Sequence, residues 1–504
     1  MTLNASRRNF LQHASAFSAL GAAAPLGINL SLMNSAVAQT TSDYKALVCV
    51  FLLGGSDTAN VVLPTDSDSW GRYIAARNVG SAPIALAPVG ASASGPLGSL
   101  SALGGVLPIG PKTAQAFPAG TRGTGARSFA LHPSLSRMQG LFNSGQLAVV
   151  PNVGSLTSPT TKAQYTSRLW KVPKALFSHS DQQNQWQTGV PENAPYGWAG
   201  LMGDLFASGN STPGFTSIAT ATASILVSGR TVNRYQVGYD YARKTAAAPI
   251  NYTTRFPFLF QNSVASVVPV VTRGGSNSLI AKDYASIVAR SMQTEQVLNS
   301  ALSGSTVAPP GSYTNPIDGR QSSNLIATQL HAVAQFIQAR SQFGIKRQVF
   351  YVGIFGFDTH SNQLAVQTGL MAQLDHALGY FYDTLKQGLG TDMTNNVTTF
   401  TMSDFGRTLA TNGDGTDHGW GSHQFVMGGA VKGGDFYNQF PTIGIDLAGF
   451  DNPDAISGGV LIPTVAVSQY AATLGAWFGV APGDLKNIFP TLGNFNQTNL
   501  GFMA

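Results

Sequence analysis

Four short stretches of this chain carry side chains able to hold a cation or an anion. The densest is Ser403-Asp404-Phe405-Gly406-Arg407, followed by Asp414-Gly415-Thr416-Asp417-His418, with His423 close behind. A Gly/Asp turn between two strands would explain the glycines and one aspartate. Three carboxylates, two imidazoles and a guanidinium within twenty residues exceed what a turn needs. The second stretch is Gly356-Phe357-Asp358-Thr359-His360. In extended backbone, residues i and i+2 project to the same side, so Asp358 and His360 can offer two ligands to one ion. The third, Gly54-Gly55-Ser56-Asp57, places a carboxylate in a glycine turn, either as turn chemistry or to hold a cation. The fourth runs from Phe177 to Gly189 and includes Ser178 and Ser180. Either serine can cap a helix starting there. The unpaired N–H groups of that helix start would equally receive an anion or an activated hydroxyl. Carboxylates and imidazoles without thiolates suit Zn, Mn, Mg or Ca, and the histidines favour a transition metal.

The elements that must position these groups are strands. Ala46–Leu53, Gln348–Ile354 and Val397–Met402 are continuous apolar or β-branched runs, the pattern of strands covered on both faces in a parallel sheet. Open α/β sheets keep their ligand sites outside the carboxyl ends of such strands. Asp57, Asp358 and Asp404 all follow a strand end, and the three strands are expected to be adjacent or nearly so. Helical spacing covers Leu325 to Phe343, and again Leu370 to Leu385. The expected fold is α/β, a mostly parallel central sheet flanked by helices. A helix over Leu135–Phe142 and a strand over Leu147–Val150 precede the Phe177 stretch. His132, His331 and His376 read as capping or packing residues. Two stretches, 81–125 and 211–313, read as surface excursions; the second holds short strands at Ile225–Val227 and Ala265–Val271.

The chain has 504 residues, 10% of them charged, and a net charge of +6 that drops to +4 without Arg7 and Arg8. So mild and scattered a charge argues against nucleic acid as a partner. The lone Cys49 excludes an intrachain disulfide and reads as a small buried hydrophobe. At the N-terminus, Ser6-Arg7-Arg8-Asn9-Phe10-Leu11, a moderately apolar segment and Ala36-Val37-Ala38 read as a twin-arginine export signal over residues 1–38. The translocase is then a transient partner and the destination periplasmic or otherwise exported. Residues 39–504 are expected to form one α/β domain with no stable membrane span.

Taken in order, the Arg-Arg leader, Gly54-Gly55-Ser56-Asp57 with Asn60, Ser178-His179 through Thr188-Gly189, Phe357-Asp358-Thr359-His360, Ser403 to Thr408 and Asp417-His418 resemble the domain-of-unknown-function 1501 family of exported bacterial proteins. That family is similar to the alkaline phosphatase and sulfatase superfamily. The resemblance implies an alkaline-phosphatase-like fold with one or two divalent metals at the carboxyl edge of the sheet, binding a phosphate or sulfate ester that a hydroxyl attacks. Carried over by position, Asp57, Asp358, His360, Asp404 and His418 would hold the metal. Phe405 stands where the superfamily has a histidine. Ser178 and Ser180 are the nearby hydroxyls, and Arg407 would clamp the ester oxygens, or else pair with Asp404 or Asp414. Two functions follow: a metal-dependent hydrolase of phosphate or sulfate esters, small-molecule or glycan, or a non-catalytic binding protein for an envelope component or glycan. A hydroxyl open to the metal would mark the first, and a polar pocket without a nucleophile the second.

Overall fold

The computed structural model describes residues 43–504 except 98, 118–124, 223, 238, 241–244, 247–296, 299, 448 and 449. The leader and the expected strand Ala265–Val271 lie outside the described residues. The central sheet is built from β1 (Lys45–Leu53), β2 (Leu147–Gly154), β3 (Ser217–Ala219), β4 (Tyr235–Gln236), β5 (Arg347–Phe355), β6 (Val397–Ser403), β7 (Ser422–Met427) and β8 (Val465–Ala466). Their spatial order is β8-β2-β7-β6-β1-β5-β3-β4. Every neighbouring pair is parallel except the two that β7 makes, with β6 and with β2. The three strands expected to be adjacent are so: β1 pairs with β5 on one side and β6 on the other, Leu53 opposite Phe355 and Leu52 opposite Ser403. That register brings Gly54, Gly356 and Asp404 out of the sheet at one edge.

The side chains of β1 alternate between two apolar layers, as a period of two requires. Ala46, Val48, Val50 and Leu52 join one core, and Leu47, Cys49, Phe51 and Leu53 the other. The first layer is closed by α1 (Ser67–Arg77), α2 (Ser136–Asn143) and, further along the chain, the helices that follow the excursion. The second is closed by α3 (His179–Thr188), through Trp186, and α4 (Trp198–Phe206), through Met202. The later helices are α5 (Leu325–Gln338) and α6 (Gln363–Asp383) on the first layer, and α7 (Val467–Phe478) on the second. No helix of the described residues is long and apolar enough to cross a membrane.

The structure departs from the sequence expectations in three places. β2 continues to Gly154, past Pro151, which begins no new element. Ile225–Val227 is a turn, not a strand: the Leu226 N–H donates to Gln187 Oε1 at 3.1 Å and its carbonyl accepts from Gly200 N at 2.8 Å. Stretch 81–125 is less of an excursion than its composition implies, because Leu107–Ile109 pairs with Phe129–Leu131, which pairs in turn with Val62–Pro64. Three-residue strands, two of them containing proline, are too short to show a period.

Two histidines sit in the core as neutral bases. His132 Nδ1 accepts the Ser134 N–H at 3.1 Å, and His423 Nδ1 accepts the Asn152 N–H at 3.0 Å. Protonating either would turn an acceptor into a second donor, and burial pushes both down to about 3. Their folded values lie below the unfolded ones. Between about pH 3 and 6.5 the unfolded chain therefore binds more protons, and stability falls as pH falls. At pH 5 each should cost about 2 kcal/mol relative to pH 7. Asp375, raised to about 6 by burial, has the opposite sign and returns roughly 1 kcal/mol over that span. The urea midpoint should consequently drop between pH 7 and pH 5; an unchanged midpoint would contradict the neutral assignment.

Candidate metal centre

Three imidazoles surround the carboxylate of Asp358, each held from behind by an oxygen. His179, in the first turn of α3, has its Nδ1 at 2.7 Å from Asp404 Oδ2. His418 has its Nδ1 at 2.8 Å from the Phe177 carbonyl. His360 has its Nδ1 at 3.2 Å from Asp417 Oδ1. These oxygens only accept, so each Nδ1 carries a proton, and in the neutral ring each Nε2 presents a lone pair. The three Nε2 atoms lie at 3.5, 3.3 and 3.1 Å from Asp358, in the order His179, His418, His360. His360 Nε2 and His418 Nε2 face each other at 2.9 Å. Two lone pairs at that distance repel unless a proton or a cation stands between them. His179 Nε2 is buried with no hydrogen-bond partner. An orphaned buried acceptor aimed at a carboxylate and flanked by imidazoles suits a divalent metal, and His179, Asp358 and His418 bring one ligand atom each within 4.8 Å of the others.

Electrostatics act differently on the three groups. The hydrogen bond that His179 Nδ1 donates to Asp404 raises the pKa of His179 against the effect of burial, and so favours the protonated ring until a cation takes the place of the Nε2 proton. Burial lowers the pKa of His418, so its ring stays neutral and free to ligate. At Asp358 burial acts upward, but the Arg407 hydrogen bond and charge outweigh it and hold the carboxyl below its usual value.

Phe405 is the floor of the site. Its ring centroid lies 4.9 Å from that of His179 and 4.7 Å from that of His418, and the residue is fully buried. Close packing here also explains the glycine pair after β1. A Cβ on Gly55, at φ +82°, would meet Phe405 Cε2 at 2.3 Å, and one on Gly54, at φ +118°, would meet the Asp358 backbone nitrogen at 2.4 Å. Gly55→Ala should therefore displace Phe405 and cost roughly 1–3 kcal/mol, measurable as a lower denaturant midpoint.

Of the sequence-expected metal residues, Asp358, His360 and His418 meet at this point, and two others do not. Asp57 is 2% exposed and occupied on both oxygens: Arg77 Nη1 and Nη2 approach at 2.5 and 2.9 Å, and Gln363 Nε2 at 2.5 Å. It is an internal ion pair, turned away by the guanidinium of α1. Asp404 stands behind His179, also accepting from Gln183 Nε2 at 2.8 Å and from the Gly54 N–H at 3.1 Å, with no exposed surface. Arg407 does not reach outward as a clamp. Its side chain is fully buried and donates to Asp358 Oδ1 at 2.7 Å, to the Gly54 carbonyl at 3.3 Å and to both oxygens of Thr416. The ion pair it forms is with Asp358, not with Asp404 or Asp414. Asp414 secures the start of α6 instead, accepting the Asn362 N–H at 2.9 Å.

Neither expected hydroxyl joins the centre. Ser178 occupies the N-cap position of α3 but its side chain caps nothing; Oγ donates to Asp181 Oδ2 at 2.6 Å. Ser180 is exposed and leans on the same carboxylate at 3.4 Å. On a helix start, residues on either side of His179 point away from the direction it takes. His179 itself is a residue to which the sequence reading gives no role. It enters there only within the Ser178-His179 motif that carries the family resemblance.

No curated protein matches the chain. Among solved structures it is similar to the PsFucS1 sulfatase from Pseudoalteromonas sp., at 10% identity over 95% of this chain and 75% of that one, TM-score 0.34. It is similar also to the phosphonate monoester hydrolase SpPMH from Silicibacter pomeroyi, at 10% identity over 68% of each chain, TM-score 0.29. A mutant of the alkaline phosphatase PafA matches at 13% identity over 73% of this chain and 64% of that one, TM-score 0.26. Likeness at this level assigns no chemistry to the site. Over residues 44–481, nearly the whole of the described chain, the match is to the family described as "Protein of unknown function (DUF1501)", and the chain belongs to that family.

Proposed function

We propose that this protein is a metal-dependent hydrolase of phosphate or sulfate esters. The observation that carries the reading is the set of three imidazoles, each with Nδ1 tied to an oxygen and Nε2 turned to Asp358. Such a donor set suits a borderline divalent cation, Zn or Mn ahead of Mg or Ca. Bound there, the cation supplies a Lewis acid for an ester oxygen and lowers the pKa of water. His179, His418 and Asp358 would hold it, with His360 alongside. Asp404, Asp417 and the Phe177 carbonyl fix the ring tautomers, and Arg407 keeps Asp358 ionised and in place. Ser178 and Ser180 are committed to Asp181, so the side-chain hydroxyl expected of a hydrolase is not supplied by either, and this reading requires water as the attacking group. Elemental analysis of the purified protein, followed by a screen of phosphate and sulfate monoesters and diesters with and without chelator, tests it. Turnover abolished by chelator and restored by one metal is the expected result.

That neither Ser178 nor Ser180 turns to the centre favours a second reading, a non-catalytic protein that binds an envelope or glycan ligand through the same metal. Metal bound in full with no ester turned over would select it. In either case we expect export by the twin-arginine translocase, with mature protein beginning at Gln39. N-terminal sequencing and the loss of export in Arg7→Lys with Arg8→Lys check this.

A further inference from the structure

Beside the metal centre lies a cavity of about 650 Å³ whose lining includes Tyr165, Arg168, Trp170, Phe177 and His418. His418 and Phe177 line it while His179, Asp358 and His360 do not, so an occupant of the cavity meets the centre through the His418 ring. The volume falls within the usual range for small-molecule sites and far exceeds what one phosphate or sulfate group fills. Trp170 keeps 39% of its surface exposed, and Tyr165, half-buried, packs its ring 5.9 Å from that of Trp420. Both offer flat apolar surface with a polar edge.

The charge in the cavity comes from Arg168. Lys162 also lines it, but its ammonium is spent on Asp446 at 2.9 Å, Asp451 at 2.5 Å and the Asn452 carbonyl at 3.0 Å. Those bonds anchor the helix Lys162–Ser167, which a Thr161–Gln164 capping box starts and Arg168, at φ 57°, ends. The Arg168 guanidinium has no side-chain partner among the described residues. A built wall thus presents an unspent guanidinium and aromatic faces next to the candidate centre.

We propose that this cavity is the leaving-group subsite, taking a ring that carries an anionic group of its own. Trp170 and Tyr165 meet the ring and Arg168 meets the charge. The ring is a sugar or an aryl group. The inference rests on the ester-hydrolase reading for the word "leaving group", and its test does not need turnover. Binding of free ring compounds to the full chain is followed by NMR titration in two pairs: 4-hydroxybenzoate against phenol, and glucuronate against glucose.

In at least one pair the acid should bind about tenfold more tightly than its neutral partner. Arg168→Gln should reduce that ratio below about twofold, while Trp170→Ala should weaken both members. Which pair responds identifies the ring. Chelated protein should keep the preference, since the charge is read by Arg168. Equal binding within both pairs would overturn the inference, as would a preference untouched by Arg168→Gln or lost on chelation. A preserved preference with no ester ever hydrolysed would support the subsite and overturn the hydrolase.

Discussion

On the metal-centre reading, His179→Ala should abolish divalent-metal binding, leaving none measurable after dialysis, while His376→Ala should bind a full complement. His179 offers the one buried ring nitrogen of the centre without a partner, so its loss removes a ligand outright. Asp404→Asn should give an intermediate result. It removes the carboxylate that sets the His179 tautomer, and losses of this kind weaken metal affinity about 10–100-fold. His376, whose Nδ1 meets the Asn324 amide at 3.2 Å on another face of the fold, is the control. Metal content measured on folded protein decides the matter. Full retention in His179→Ala would remove the basis of the centre.

Arg77→Met should be the most destabilising single change, costing about 3–5 kcal/mol. Both partners of the Arg77–Asp57 pair are almost wholly buried, and the fork also donates to the carbonyls of Leu409 and Thr408, at 2.7 and 3.0 Å. Removing the guanidinium leaves a buried carboxylate with Gln363 as its remaining partner and strands two carbonyls. Asp57→Asn with Arg77→Met should recover part of the loss by removing the unpaired charge. The denaturant midpoint measures both. Metal bound per folded molecule should not change in Asp57→Asn, and a fall there would return Asp57 to the ligand set. The pair is nevertheless linked to the centre: Gln363 accepts from Thr416 Oγ1 at 2.6 Å, and Thr416 Oγ1 accepts from Arg407 Nε at 3.2 Å.

Much of this arrangement is legible in the residues alone. A strand buried on both faces must be apolar along its length, so β1, β5 and β6 announce themselves, and parallel strands must open their carboxyl ends along one edge. That logic brings Asp57, Asp358, His360 and Asp404 to one edge, and His418 lies in the loop that follows β6. What it does not contain is direction. Asp57 and Asp358 follow equivalent strand ends, yet one meets Arg77 and the other meets three imidazoles. Arg77 comes from α1, and only the packing of that helix against the first core layer turns its guanidinium inward. Asp404 faces inward because α3, 225 residues earlier, lays His179 across it. The serines around His179 draw attention in the sequence because hydroxyls are reactive, but helical geometry sends them outward to Asp181. Composition and periodicity determine which strand ends gather; the tertiary contacts of α1 and α3 decide which carboxylates are neutralised in the interior and which remain to meet a ligand.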